Sequence, residues 1–164
     1  MRVFMIATAL MFAAVTVRAE TFPVVDNQTV RTECGDCHMI FPPQTLPMAL
    51  WQKIIGNLSD HFGEDASGQD PAVVAEIMAY HVKNASDVSD VRAAKKWRTT
   101  ATVTRILDAP RFKAKHKGCD AVWGHELVKS PSNCLACHKN MEKTGSTKEN
   151  MSFLPANLRN ACGD

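Results

Sequence analysis

The chain has 164 residues, with 19 basic and 17 acidic side chains, six histidines, six cysteines and 7% aromatic residues. That length suits one domain with a modest core. The few aromatics, and the lack of alternating β-branched runs, exclude an architecture of long strands.

The first residues read as a secretory leader. Met1-Arg2 is followed by fifteen residues, Val3 to Val17, with almost no polar side chain, and Val17-Arg18-Ala19 precedes Glu20. These are the charged, apolar and small-residue regions of a signal peptide, with cleavage expected after Ala19. A retained anchor is the competing reading, but the apolar run is shorter than the ~20 residues that span a bilayer. No cysteine stands at the cleavage site to take a lipid. The mature chain, Glu20 to Asp164, is expected to be a single soluble domain that does not span a membrane.

Cys34-Gly35-Asp36-Cys37-His38 comes next. Two thiols three positions apart and a histidine directly after them form the attachment pattern of a c-type haem. Each thiol adds to a vinyl group, and the histidine ligates the iron. Covalent haem is attached outside the cytoplasm, which agrees with the leader and points to a bacterial periplasm. Phe41-Pro42-Pro43 should then break any helix that the motif begins.

A helix is expected from near Pro47 through Ile55, ending around Gly56-Asn57, with Leu50, Trp51, Ile54, Ile55 and Leu58 on one stripe. Asp70-Pro71 reads as N-cap and first position of a second helix reaching about Asn84, whose apolar stripe carries His81. A third is expected from Ser89 to Trp97, opened by Ser89-Asp90. Ala109-Pro110 then starts a turn or short helix bearing Arg111, Lys113, Lys115, His116 and Lys117. A leader, no recognised nucleic-acid motif and no interleaved aromatic platform argue against nucleic acid as the partner of that cluster.

Ser130-Pro131-Ser132 leads into a second attachment motif, Cys134-Leu135-Ala136-Cys137-His138, and Lys143 to Asn150 reads as an exposed loop. Two motifs imply two haem c groups. A four-cysteine zinc site or a redox dithiol is the bland alternative, but neither requires a histidine after both pairs, and a hundred-residue gap is wrong for a zinc ribbon. The expected fold is mainly α with extensive loops, in two lobes, 20–88 and 89–164, each packed around one haem. Residues 20–90 hold three basic and eleven acidic side chains, whereas 91–164 hold fourteen basic and six acidic. If the lobes are separate in space, this split orients a charged redox partner.

Each iron takes one more axial ligand, which separates carriers from catalysts. His61, His81, His116 and His125 remain, alongside several methionines. His61 sits on a loop with Glu64 and Asp65 near enough in sequence to accept its second N–H. His116 lies among lysines, where coordination would keep it neutral. His81 shares a buried helical face, the usual place of a core histidine, and His125 has only nearness to the second motif in its favour. Local reading leaves the four unranked.

Glu33-Cys34-Gly35-Asp36-Cys37-His38, the run His61-Phe62-Gly63-Glu64-Asp65-Ala66-Ser67, Asn84-Ala85 and the stretch from Val128 through Lys139 together resemble the small periplasmic dihaem cytochrome c family. The resemblance covers nearly the whole mature chain. It implies an electron-transfer protein, not an enzyme, with two bis-histidine haems, passing electrons between a membrane b-type cytochrome and a soluble monohaem cytochrome c. It favours His61 and His116 as distal ligands. Because partners within a lobe are paired, His38 goes with His61 and His138 with His116, and the crossed pairing is the alternative. A dihaem peroxidase or a small-molecule reductase with one open iron is the competing function. Cys119 and Cys162 depart from the family pattern. In an oxidising compartment two leftover thiols predict a disulfide tying the C-terminus to the second lobe, against two unpaired thiols.

Overall fold

The computed structural model describes residues 19–162. The expected leader, apart from Ala19, lies outside the described residues. Among these, eight α-helices and four 3-10 turns follow one another with no named strand, giving a mainly helical fold with extensive loops. No helix described is long and apolar enough to cross a membrane.

Helix α1, Gln28–Gly35, opens on Asn27, whose side chain accepts from the Val30 amide at 2.8 Å. The same side chain donates to Glu76 at 2.8 Å, so the cap also ties α1 to the next helical layer. The helix runs into the first motif and ends there, rather than starting from it. Helix α2, Met48–Ile55, follows Pro47 and buries Leu50, Trp51 and Ile55. The indole N–H of Trp51 reaches back to the Pro43 carbonyl at 2.8 Å, fixing the Pro43–Thr45 turn beneath it.

Helix α3, Pro71–Asn84, begins as expected, with the Asp70 carboxylate accepting from Ala72 N–H at 2.8 Å. It packs along α2 and buries Ile77 and His81. Helix α4, Arg92–Trp97, starts later than Ser89-Asp90 suggested, because Val91 stays extended and the Ser89 hydroxyl only grazes its amide at 3.5 Å. Helices α5, Pro110–Lys115, α6, Asp120–Trp123, α7, Met141–Thr144, and α8, Ala156–Ala161, complete the chain.

Three apolar clusters hold these pieces. The first centres on Val30, Leu50, Trp51, Ile55 and Ile77. The second joins distant parts of the sequence: Phe22 and Met39 pack with Trp97, Phe112 and Met141. The third, Val122, Val128, Ala136 and Leu154, lies under the C-terminal segment. Residues 143–150 are largely exposed and mostly irregular, as expected, but they are also tied down. Lys143 and Thr144 end α7, the Phe22 amide donates to Gly145 at 2.9 Å, Thr21 bridges Ser146, and the Thr147 amide donates to Glu20 at 2.9 Å.

Beside this junction the Glu20 carboxylate is buried. Trp97 Nε1 donates to it at 2.9 Å, Lys96 Nζ lies 3.4 Å away and the Arg111 guanidinium is in direct contact. Burial pushes this carboxyl up, but the hydrogen bonds from Arg111 and Trp97 and the charges of Arg111 and Lys96 outweigh it and hold the group below its ordinary range.

Candidate functional site

Around the first motif, Cys34 is half-buried at the end of α1 and Cys37 is exposed. His38 Nδ1–H donates to the Met39 carbonyl at 2.7 Å, which fixes the ring and leaves Nε2 unprotonated in the neutral imidazole. Opposite it, His61 follows the Leu58–Asp60 turn and exchanges backbone hydrogen bonds with Glu64, at 2.8 and 3.3 Å. Phe62 and Gly63, at φ 59° and 96°, turn the chain between them. The rings of His38 and His61 stand 6.1 Å apart, within 14° of parallel. His61 Nδ1 is buried without a partner. The neighbouring carboxylates do not serve it as expected, since Asp65 accepts from the Ser67 amide and hydroxyl instead.

The second motif lies in a short 3-10 turn, Cys134–Ala136, with the His138 amide bonded to the Cys134 carbonyl at 2.8 Å. The Ser130 and Ser132 hydroxyls bond each other at 2.7 Å and build the preceding turn, without capping this one. His116 closes α5, where Nδ1–H donates to Phe112 O at 3.0 Å and the ring stacks on Phe112 at 4.1 Å. Its ring lies 6.0 Å from that of His138, with planes crossed at 89°. His138 Nδ1 makes no geometrically sound hydrogen bond, although the Thr147 backbone lies close enough to favour its protonation.

Burial pushes the imidazoles of His61, His116 and His138 toward their neutral forms. Their partner histidines add to this at His61 and His138, and Lys115 adds to it at His116. Neutral imidazole is the form that binds iron. The other two histidines stand apart from the pairs. His81 is buried, with Nδ1–H donating to the Ile77 carbonyl at 2.8 Å and its ring 4.5 Å from Trp51. His125 accepts from the Leu127 amide at 3.3 Å beside Phe153.

These residues fit haem c. Two metal–imidazole bonds of about 2 Å, with a half-ring of about 1 Å at each end, span about 6 Å, the separation of both pairs. The cysteines do not fit the alternatives. Burial raises the Cys34, Cys134 and Cys137 thiols, Cys134 to about 11, which makes them poor thiols for dithiol exchange. Nor do the motifs gather into one cluster: among the described residues no group of three or more His, Cys, Asp or Glu side chains is arranged to hold a metal ion. A cavity of about 200 Å³ instead separates the motifs, lined by Cys37 and His38 on one side and Cys134 and Leu135 on the other. The Ile40 amide donates to Glu142 at 2.8 Å, linking the segments that follow them.

Sequence reasoning missed the aromatic supports. Phe112 stacks on His116, and Phe41 lies 5.0 Å from His38. The four-residue spacing from Phe112 to His116 was the available signal.

The sequence profile of the dihaem cytochrome c family matches residues 30–145. No curated protein matches. Among solved structures, a dihaem cytochrome c from Rhodobacter sphaeroides is 41% identical with a TM-score of 0.63, over 73% of this chain and 96% of that one. A second structure, DHC purified from the same organism, is 37% identical with a TM-score of 0.58, over 73% and 96%. A dihaem cytochrome c from Shewanella baltica is 32% identical with a TM-score of 0.58, over 73% and 86%.

Proposed function

The chain belongs to the dihaem cytochrome c family, whose members carry two haem c groups, and from that premise we propose that it is a periplasmic electron carrier in which both irons are closed by histidine. Electron transfer is the activity this family suggests. When bound, haem c supplies reversible one-electron exchange between ferric and ferrous iron.

The facing imidazoles carry the proposal. Cys34 and Cys37 tether one group and Cys134 and Cys137 the other. His38 with His61, and His138 with His116, would hold the two irons, because each pair is spaced for one intervening metal. The Met39 and Phe112 carbonyls hold the rings of His38 and His116 in the tautomer that leaves Nε2 unprotonated. Irons held by a side chain on each side would leave no site at which a substrate could bind them. The chain therefore acts as a carrier and not as an enzyme.

A soluble monohaem cytochrome c and a membrane b-type cytochrome are the proposed partners. Lys113, Lys115 and Lys117 are exposed around His116, so an acidic partner is attracted to the second site, weakly and with strong salt dependence. The Cys119–Cys162 disulfide supports an oxidising compartment.

Visible and electron paramagnetic resonance spectra of the matured protein test the reading. Two low-spin haems that leave carbon monoxide unbound at neutral pH are expected. A high-spin haem, or rapid carbon monoxide binding, would favour a dihaem peroxidase or reductase instead.

A further inference from the structure

The family match ends at residue 145, yet the chain continues as an ordered segment across the second site. Its start is tied to the N-terminus through the Thr21–Ser146 bridge and the Thr147 amide on Glu20. Midway, the Asn150 amide donates to the carbonyl of Cys137 at 2.9 Å, one residue before His138. Met151, Phe153, Leu154 and Leu158 then pack against Val122, Val128, Ala136 and Cys137.

At its far end Cys162 is disulfide-bonded to Cys119. The Cys119 amide in turn donates to the His116 carbonyl at 3.2 Å. Gly118, at φ 81°, admits this closure, since a Cβ there would overlap the Ala161 carbonyl oxygen. One segment therefore grips both ligand-bearing turns of the second site.

Both turns are short. His116 ends a six-residue helix and the motif occupies a three-residue 3-10 turn without a side-chain cap, both too short to be stable alone. His116 is braced locally by the Phe112 carbonyl and ring, much as His38 is by the Met39 carbonyl and His61 by its bridge to Glu64, so what the second site has in addition is the segment beyond residue 145.

We propose that residues 146–162 form a clasp that sets the spacing of His116 and His138, which makes the Cys119–Cys162 disulfide a positioning element of the second haem and not of the first. The proposal rests on bis-histidine ligation at that haem. Loss of the clasp lets His116 leave more often, so the iron admits outside ligands faster and its potential moves.

The test uses haem-loaded protein carrying Cys119→Ser and Cys162→Ser together. Ferrous protein is mixed with carbon monoxide, and both midpoint potentials are measured by titration. The clasp predicts binding at least tenfold faster than in the unmodified protein, at one haem per chain, with one potential displaced and the other unchanged. A tenfold change in the oxidation equilibrium corresponds to about 59 mV for one electron. Adding His116→Ala must leave the count at one carbon monoxide per chain, because the same haem is opened.

Unchanged binding and potentials overturn the clasp, as does opening of both haems. If the double variant fails to mature, the disulfide of the intact holoprotein is reduced with a phosphine. The phosphine takes the oxygen of one water to become its oxide and gives up two electrons, the cystine takes up those electrons and the two protons of that water to give two thiols, and the thioethers survive. The same readouts then decide. Carbon monoxide bound rapidly by the unmodified protein defeats bis-histidine ligation itself, and the clasp with it.

Discussion

Glu20→Gln removes one charge from a buried cluster while keeping its shape. The Glu20 side chain is 7% exposed, against 34% for Lys96 and 28% for Arg111. Breaking a fully buried ion pair costs about 3–5 kcal/mol. Both cations keep part of their water and glutamine still accepts one hydrogen bond, so the expected loss is nearer 2 kcal/mol at pH 7. In a domain of this size that lowers the thermal midpoint by about 4–8 °C.

The sign of the pH dependence follows from the direction of the shift. Glu20 has its carboxyl held below the value it takes in the unfolded chain. Its stabilisation is complete above the unfolded value, about 4.5, and disappears as pH falls through the folded one. Thermal unfolding of haem-loaded wild type and variant, followed by circular dichroism from pH 7.5 to 3.5, should show a constant gap down to about pH 5 and a closing gap below it. A gap under about 0.5 kcal/mol at pH 7, or one that persists undiminished at the acid end, would refute the buried-cluster argument.

His61→Ala and His116→Ala should each turn one haem of the two high-spin while leaving its partner low-spin, read from the visible spectrum; an unchanged spectrum rules out that ligand. Trp51→Phe removes the buried indole donor to Pro43 and should cost about 1–2 kcal/mol in urea unfolding, with little change in the slope. Burial depresses the His81 imidazole, with the Ile77 carbonyl opposing only in part. Its neutral form therefore supports the fold fully above about pH 6.5, and that support drains by up to about 1.4 kcal/mol per unit as pH falls below it. Wild type should lose more stability than His81→Leu between pH 7 and 5, and parallel urea midpoints in that range would contradict this.

The attachment motifs and the start of α3 were legible because each is written in neighbouring residues: thiol spacing in one case, Asp70 before Pro71 in the other. The His81 stripe was legible too, since a buried helical face is a local pattern. Ranking His61 and His116 above the other histidines needed the family resemblance, because the facing of two rings 23 or 22 residues apart is tertiary. Asp65 was expected beside His61, but two hydrogen bonds from Ser67 claimed it. Residues 143–150 read correctly as an exposed loop, but their pairing with Glu20 to Phe22 stayed hidden, because those partners lie at the other end of the sequence and no local periodicity announces it. The same distance hid the Glu20 cluster, whose cations come from α4 and α5.

That pairing constrains the order of assembly. Glu20 and Thr147 are 127 positions apart, so a polypeptide delivered with its amino end leading makes this union only after nearly all of it has emerged. Until then the fold lacks the tie between its two ends, whereas the Cys34–His38 stretch does not depend on that tie for access, since Cys37 stays exposed after it has formed. Contacts so remote also slow folding, which makes this closure a late step.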